Sequence, residues 1–147
     1  MAADAHAAPP QGFDAALVAR VLDDALASRA GVYGISGLQG TGKSTLAAQL
    51  AAMAATRGLR AVALSIDDFY LDLPARQALA RDVHPLLATR GPPGTHEVAL
   101  AGATLDALRA GRRARLPAFD KLGDQRLPQA QWRDVGRVDL IVFEGWC

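Results

Sequence analysis

Val32-Tyr33-Gly34-Ile35-Ser36-Gly37-Leu38-Gln39-Gly40-Thr41-Gly42-Lys43-Ser44-Thr45 runs from an apolar, strand-like segment through a glycine-rich turn into an alanine- and leucine-rich, helix-forming segment. Residues 37–44 follow the spacing GxxxxGK with a hydroxyl residue after the lysine. Gly37, Gly40 and Gly42 let the backbone turn tightly and aim successive amides at one anion. Leu38, Gln39 and Thr41 lie between them and complete the loop. The helix predicted from about Lys43 to Arg57, closed by Gly58, adds the positive end of its dipole. Lys43 offers a compact charge to the β- and γ-phosphates of a nucleotide such as ATP. Ser44 offers a hydroxyl oxygen to Mg2+, with Thr45 beside it. A glycine-rich turn with a chance lysine is the plainer reading, but it does not call for a strand before the turn and a helix after it.

Upstream of this segment, residues 1–12 read as a mobile leader of Ala, Pro and Gly. From Phe13, the residues Leu17, Val18, Val21, Leu22 and Leu26 recur at helical spacing up to Gly31. Downstream, Ala61 to Ile66 reads as a second buried strand that ends in Asp67-Asp68-Phe69-Tyr70. A short helix is predicted from Pro74 to Asp82. A turn-rich stretch follows, with His84-Pro85 as a turn and Arg90 to His96 as a loop. Thr95 is the expected N-cap of a helix from about Glu97 to Ala110, stopped by Gly111. Arg112, Arg113 and Arg115 read as a solvated helix end or loop, and 116–127 as a loop. Val138 to Phe143 is a third strand, followed by Glu144. Alternating strands and helices predict an α/β fold with a parallel sheet, one domain over 13–147, and ligands beyond the carboxyl ends of the strands.

Composition narrows the function classes. The 147 residues carry 16 basic and 15 acidic side chains, so no field of one sign recruits nucleic acid or a membrane surface. Aromatic residues are 5% of the chain, and Trp132 and Trp146 read as packing residues rather than a base-stacking platform. The single cysteine allows no internal disulfide. No apolar run approaches the ~18 residues of a membrane span, so a cytoplasmic protein is expected. Arginines number 14 and lysines two, Lys43 and Lys121. Lysine retained amid so much arginine suggests a position where a point charge is needed.

The acidic residues complete the chemistry. Asp67, just after the second strand, stands near a bound γ-phosphate, where a carboxylate can accept the proton of an attacking hydroxyl or hold Mg2+ through water. Asp68 points elsewhere and is expected to cap the following turn. Glu144, after the third strand, is placed to organise metal-bound water. Ordinary solvated aspartates and glutamates are the alternative at each position.

The order Gly34-Ile35-Ser36-Gly37, Gly42-Lys43-Ser44-Thr45, Leu64-Ser65-Ile66-Asp67-Asp68-Phe69-Tyr70, Gly94-Thr95-His96-Glu97, Pro117-Ala118-Phe119-Asp120-Lys121 and Phe143-Glu144-Gly145-Trp146 resembles the D-glycerate 3-kinase family of plants, fungi and bacteria. That family is grouped with uridine kinase, phosphoribulokinase and pantothenate kinase among the P-loop kinases. The resemblance covers roughly residues 31–147. It implies a three-layer parallel sheet with flanking helices, with ATP and Mg2+ as cofactors. It further implies Asp67 as the acid that activates the acceptor hydroxyl, Glu144 as the metal-associated acid, and residues 117–126 as a loop closing over the acceptor. The carboxylate of glycerate needs a cation, for which Lys121, Arg126 and Arg90 are the candidates. Tyr70 and His96 would bond its hydroxyls, and Asp68 is a further candidate substrate contact.

Members of that family continue past the segment matched by Phe143 to Trp146. On that resemblance the sheet is expected to be incomplete on its C-terminal side, with one edge of the first strand open. Three readings follow: a glycerate kinase, a P-loop kinase for another small acceptor such as a nucleoside or a pantothenate-like molecule, and a nucleotide-binding module without turnover.

Overall fold

A computed structural model describes residues 12–146, so the leader expected over 1–12 lies, apart from Gly12, outside the described residues. In chain order the elements are α1 (Ala15–Ala27), β1 (Val32–Ser36), α2 (Lys43–Thr56), β2 (Ala61–Ser65), α3 (Leu73–Asp82), α4 (Val98–Arg109), β3 (Ala114–Leu116), β4 (Phe119–Asp120), β5 (Gln125–Arg126), β6 (Arg133–Val135) and β7 (Leu140–Gly145). Short 3-10 turns occupy Ile66–Phe69, Pro85–Ala88 and Gln129–Gln131.

The central sheet has the order β1-β7-β2, all parallel, so the last strand enters between the first two. Val32 pairs with Ile141 on one side of β7, and Ala61 with Leu140 on the other. Leu140, Ile141 and Val142 are all buried, as a strand covered on both faces requires. Alternation along β7 sorts its side chains. Leu140 and Val142 join Val18, Leu22, Ala47, Leu50 and Ala54 beneath α1 and α2. Ile141 joins Val62, Leu64, Leu108 and Leu116 on the opposite face, beneath α4 and β3. The same period of two puts Glu144 on the α2 side, toward the start of that helix.

Local chemistry explains the helices. Asp14 caps α1 by accepting from the amides of Ala16 at 2.9 Å and Leu17 at 3.2 Å. Gln49 of α2 brackets Phe13, accepting from its amide and donating to its carbonyl, both at 2.9 Å, which ties α1 to α2. Alanines promote the helix and bring α2 close to the sheet at Ala47 and Ala54, while Leu50 fills the space between. Burying a leucine so completely stabilises the fold by roughly 1.5–3 kcal/mol. Gly58, at φ +73°, ends the helix as expected.

Several local expectations are corrected. The second strand stops at Ser65 because its hydroxyl accepts from the Asp67 amide at 3.2 Å and starts a 3-10 turn. Ser65, not Asp68, therefore caps that turn. Thr95 is no N-cap: Glu97 takes that position, while buried Thr95 accepts from the Gly91 amide and donates to the Pro92 carbonyl. The arginine cluster enters a strand, β3, which pairs antiparallel with β6. Arg113 bonds Asp134 at 2.5 Å, and Arg115 donates to the Gln129 carbonyl. The loop expected over 116–127 contains the β4–β5 hairpin, with Phe119 opposite Arg126. The third strand starts at Leu140 because Asp139 turns aside to accept from the Arg60 amide at 2.8 Å. It extends through Gly145, so Glu144 lies within the strand rather than after it and is 5% exposed. His84 behaves as read, its Nδ1 accepting from the Leu86 amide in the turn. No helix among the described residues is long and apolar enough to cross a membrane.

Candidate functional site

The carboxyl ends of β1, β7 and β2 finish side by side, with Ser36 opposite Gly145 and Ser65 opposite Glu144. The glycine-rich loop leaves β1 at this edge and enters α2. Gly42 is the N-cap of α2 at φ +86° and offers no side-chain cap, so the first helical amides remain open to a ligand. A Cβ at Gly42 would stand 3.1 Å from the Phe13 ring, and Gly40 is also left-handed, at φ +76°. Lys43 reaches back across the loop, its Nζ donating to the Leu38 carbonyl at 2.7 Å. Thr41 donates to the same carbonyl at 2.7 Å. Ser44 donates from Oγ to Glu144 Oε1 at 2.8 Å, the contact that strand alternation anticipates.

Gly40, Gly42, Lys43, Ser44, Glu144 and Gly145 line a cavity of about 340 Å3 together with Gln39, Thr45, Asp67, Lys121 and Trp146. Beside it lies a second cavity of about 450 Å3, bounded by Gln39, Asp67, Tyr70, Arg76, Ala88, Thr89, Arg90, Lys121 and Asp124. Gln39, Asp67 and Lys121 belong to both walls. Asp67 Oδ2 accepts from Lys121 Nζ at 2.7 Å. Its other oxygen, Oδ1, is buried with no donor among the described residues. The bond to Asp67 raises the Lys121 ammonium above its ordinary value and keeps it charged. Burial, with the Asp67 charge nearby, raises the Tyr70 hydroxyl, so that group stays protonated.

The sequence-derived candidates separate here. Tyr70, Arg90 and Lys121 line the larger cavity. Arg126 is engaged elsewhere, with Glu97 Oε2 at 2.7 Å and the Tyr70 carbonyl at 2.9 Å. His96 stacks on the Tyr70 ring at 4.2 Å and pairs with its backbone. Burial lowers the basicity of His96. Asp68 faces a third pocket, of about 230 Å3, with Ser44, Ala63 and Glu144. Burial raises the Asp68 carboxyl, and hydrogen bonds from the Ser65 and Phe119 backbone oppose that rise. Arg126 and His96 thus buttress Tyr70 from behind.

Two charged residues of the larger cavity escaped the sequence reading. Arg76 of α3 is 1% exposed and donates to the Leu71 carbonyl at 3.0 Å, the Ala88 carbonyl at 2.7 Å and Asp124 Oδ1 at 2.5 Å. Asp124 ends the β4–β5 turn at φ +53° and also accepts from Arg90. Nothing in the sequence marks one arginine among 14 as buried, and the only trace of Asp124 is its place in a Gly-Asp turn.

An acid with one bonded and one open oxygen, set between a cradle of amides and a cationic cavity, can take a proton from a hydroxyl aimed at a phosphate.

Comparison with known proteins agrees with this geometry. The chain is 36% identical over 128 residues to the chloroplastic D-glycerate 3-kinase of Arabidopsis thaliana, a match covering 78% of this chain and 28% of that one. It is 36% identical over 126 residues to an uncharacterised kinase of Schizosaccharomyces pombe, covering 78% of this chain and 45% of that one. The solved structure of a D-glycerate 3-kinase from Cryptococcus neoformans superposes with a TM-score of 0.75 at 31% identity, over 90% of this chain and 53% of that one. The chain therefore spans less than half the length of the curated relatives it matches. No family model matches it. Its homologues include D-glycerate 3-kinases, and its fold is that of the P-loop kinases, with a parallel sheet and flanking helices.

Proposed function

We propose that this homologue of the D-glycerate 3-kinases binds ATP in the 340 Å3 cradle and transfers its γ-phosphoryl group to a hydroxyl of D-glycerate in the adjoining 450 Å3 cavity. One observation carries the reading: Asp67 stands on the wall between the two cavities, one oxygen on Lys121 and the other buried and open. In the reaction the glycerate hydroxyl oxygen bonds to the γ-phosphorus. The bond from that phosphorus to the bridging oxygen of the β-phosphate breaks, ADP leaves, and Asp67 takes the hydroxyl proton. Atoms and charge balance with 3-phosphoglycerate as product.

Loop residues 37–45 present amides to the phosphates, and Lys43 exchanges the Leu38 carbonyl for phosphate oxygen. Ser44 and Glu144 are hard oxygen donors already in contact, and Asp67 with its open oxygen lines the same cavity. No cluster of three His, Cys, Asp or Glu side chains among the described residues would hold a metal unaided. The donor set therefore suits Mg2+, which keeps waters and shares nucleotide oxygens. Bound there, Mg2+ supplies positive charge to the phosphoryl oxygens. Of the three candidate cations, Lys121 holds Asp67, Arg126 holds Glu97 and Arg90 holds Asp124 through Nη1 alone, so the remaining donors of Arg90 are assigned to the glycerate carboxylate.

A coupled ADP-release assay with D-glycerate, uridine, pantothenate and glycerol tests the reading. Glycerate-dependent release supports it. Release with uridine or pantothenate alone changes the acceptor and keeps the reaction type. ATP binding without release under any acceptor makes the chain a nucleotide-binding module. The reaction is proposed for the cytoplasm, and cell fractionation that places the protein in an organelle overturns that placement.

A further inference from the structure

The larger cavity carries an asymmetry of charge. Its ionisable wall consists of Arg76, Arg90, Lys121, Asp67 and Asp124: three cations against two carboxylates, an excess of one positive charge. The pairing is specific. Lys121 is bonded to Asp67. Arg76, buried, commits its donors to two carbonyls and to Asp124. Arg90 differs. Its Nη1 donates to Asp124 Oδ1 and to the Lys121 carbonyl at 3.2 Å, and its guanidinium lies over the Phe119 ring at 5.3 Å. Its Nε and Nη2 make no hydrogen bond to the described residues. Those two nitrogens form one edge of the guanidinium plane, spaced to meet both oxygens of a single carboxylate.

We propose that Asp124 is a positioning residue which, pinned by buried Arg76, anchors Nη1 of Arg90 so that the Nε–Nη2 edge receives one carboxylate, and that the cavity thereby selects small, singly charged hydroxy acids. This rests on the kinase reading above for the chemistry, and it goes beyond that reading by naming what sets the acceptor's charge.

The turn that carries Asp124 is built for that placement. Asp120 Oδ1 accepts from the Leu122 amide at 3.0 Å and starts the turn. A Cβ at Gly123 would fall 2.5 Å from Asp120 Oδ2, so any larger residue there has to push that carboxylate aside. Asp124 then takes a left-handed conformation that aspartate tolerates better than most residues. Its Oδ1 is shared by two guanidiniums, which removes their mutual repulsion and fixes the plane of the outer one. The bond to Arg76 and then that to Arg90 hold its carboxyl below the ordinary carboxylate value, so it remains a charge of −1. A neutral acceptor leaves the Arg90 edge unpaired, and a dianion brings one charge that no cation answers.

The test is calorimetric titration of D-glycerate, glycerol and tartronate into the protein saturated with a non-hydrolysable ATP analogue, beside ADP-release kinetics. The wild type is expected to bind glycerate more tightly than tartronate, and both more tightly than glycerol. Asp124→Asn is expected to weaken glycerate about tenfold and to move the tartronate-to-glycerate ratio about tenfold toward the dianion, because the cavity then carries one more positive charge. In turnover the loss falls on KM more than on kcat, and Asp124→Glu recovers part of it. Arg90→Lys keeps the charge and loses the fork, and is expected to cost about tenfold in glycerate affinity without moving the ratio. Arg90 is more exposed than buried Arg76 and the substitution keeps its charge, so this variant tests the idea if Asp124→Asn does not fold.

The proposal is overturned by a wild type that prefers glycerol or tartronate. It is overturned equally by an Asp124→Asn protein whose ratio is unchanged, or by an Arg90→Lys protein that binds glycerate normally. Failure of the kinase reading shows separately, as absent ADP release in a protein that still discriminates acids by charge in calorimetry.

Discussion

The cavity at the glycine-rich loop and the larger cavity beside it share Gln39, Asp67 and Lys121, yet they are made in opposite ways. The cradle is contiguous. Its amides come from residues 37–45, its shape from glycines at positive φ, and its charge from one lysine in the same loop. Only Glu144, Asp67, Lys121 and the Gly145-Trp146 end reach it from elsewhere. The larger cavity draws on the 3-10 turn after β2, on α3, on the stretch around Arg90 and on the β4–β5 turn. Its charges are held by one another rather than by neighbours in sequence. A cradle of backbone amides fits any polyphosphate. A wall of paired side chains can choose among acceptors.

That contrast can be broken or sharpened by substitution. The largest effect is expected on the shared wall. Asp67→Asn should lower acceptor-dependent ADP release by about 10²–10⁴-fold, the usual contribution of a positioned general base. Its ATP affinity, read by calorimetry, should change by only a few-fold. If nucleotide binding fell in step with rate, the two sites would not be separable at Asp67.

Arg76→Met should come next, costing about 2–4 kcal/mol of stability because three carbonyls and a carboxylate lose a buried donor. Urea denaturation measures it. The cavity is expected to suffer while the isolated cradle retains ATP affinity. Gly42→Ala should cost about 1–2 kcal/mol through left-handed strain, compounded by contact with Phe13. There the relation inverts, with ATP binding weakened and binding of small acids spared.

The smallest effect concerns acid stability. Asp124 is held below its ordinary value of 3.8, so it binds protons more readily unfolded than folded. Its contribution is complete above that value and fades as pH falls through the lower folded-state value. Thermal unfolding followed from pH 5 downward should show a steeper loss for the wild type than for Asp124→Asn. Equal slopes would remove the carboxylate from the account.

How much could be read in advance follows the same division. β1, the loop and α2 were legible because strand, turn and helix signals lie in consecutive residues, and Gly58 marks the stop. Thr95 misled because a hydroxyl three residues before a helix looks the same whether it caps or is buried against Pro92. Glu144 was expected just after the third strand and lies inside it, since the sequence does not show that β7 runs on through Gly145 between two neighbours. Lys121 stood out by composition and by the resemblance of its segment. Arg126, equally plausible on paper, is taken by Glu97.

The chain's own order of residues determined an α/β sheet with a glycine-walled anion site, because hydrophobic period and glycine conformation act over a few bonds. Which acids and bases meet was settled only in three dimensions. The insertion of β7 between β1 and β2 carries Glu144 to Ser44, and the β4–β5 hairpin brings Lys121 to Asp67 and Asp124 to Arg76. Ion pairing depends on distance through space, and distance between remote residues is a property of the packed fold.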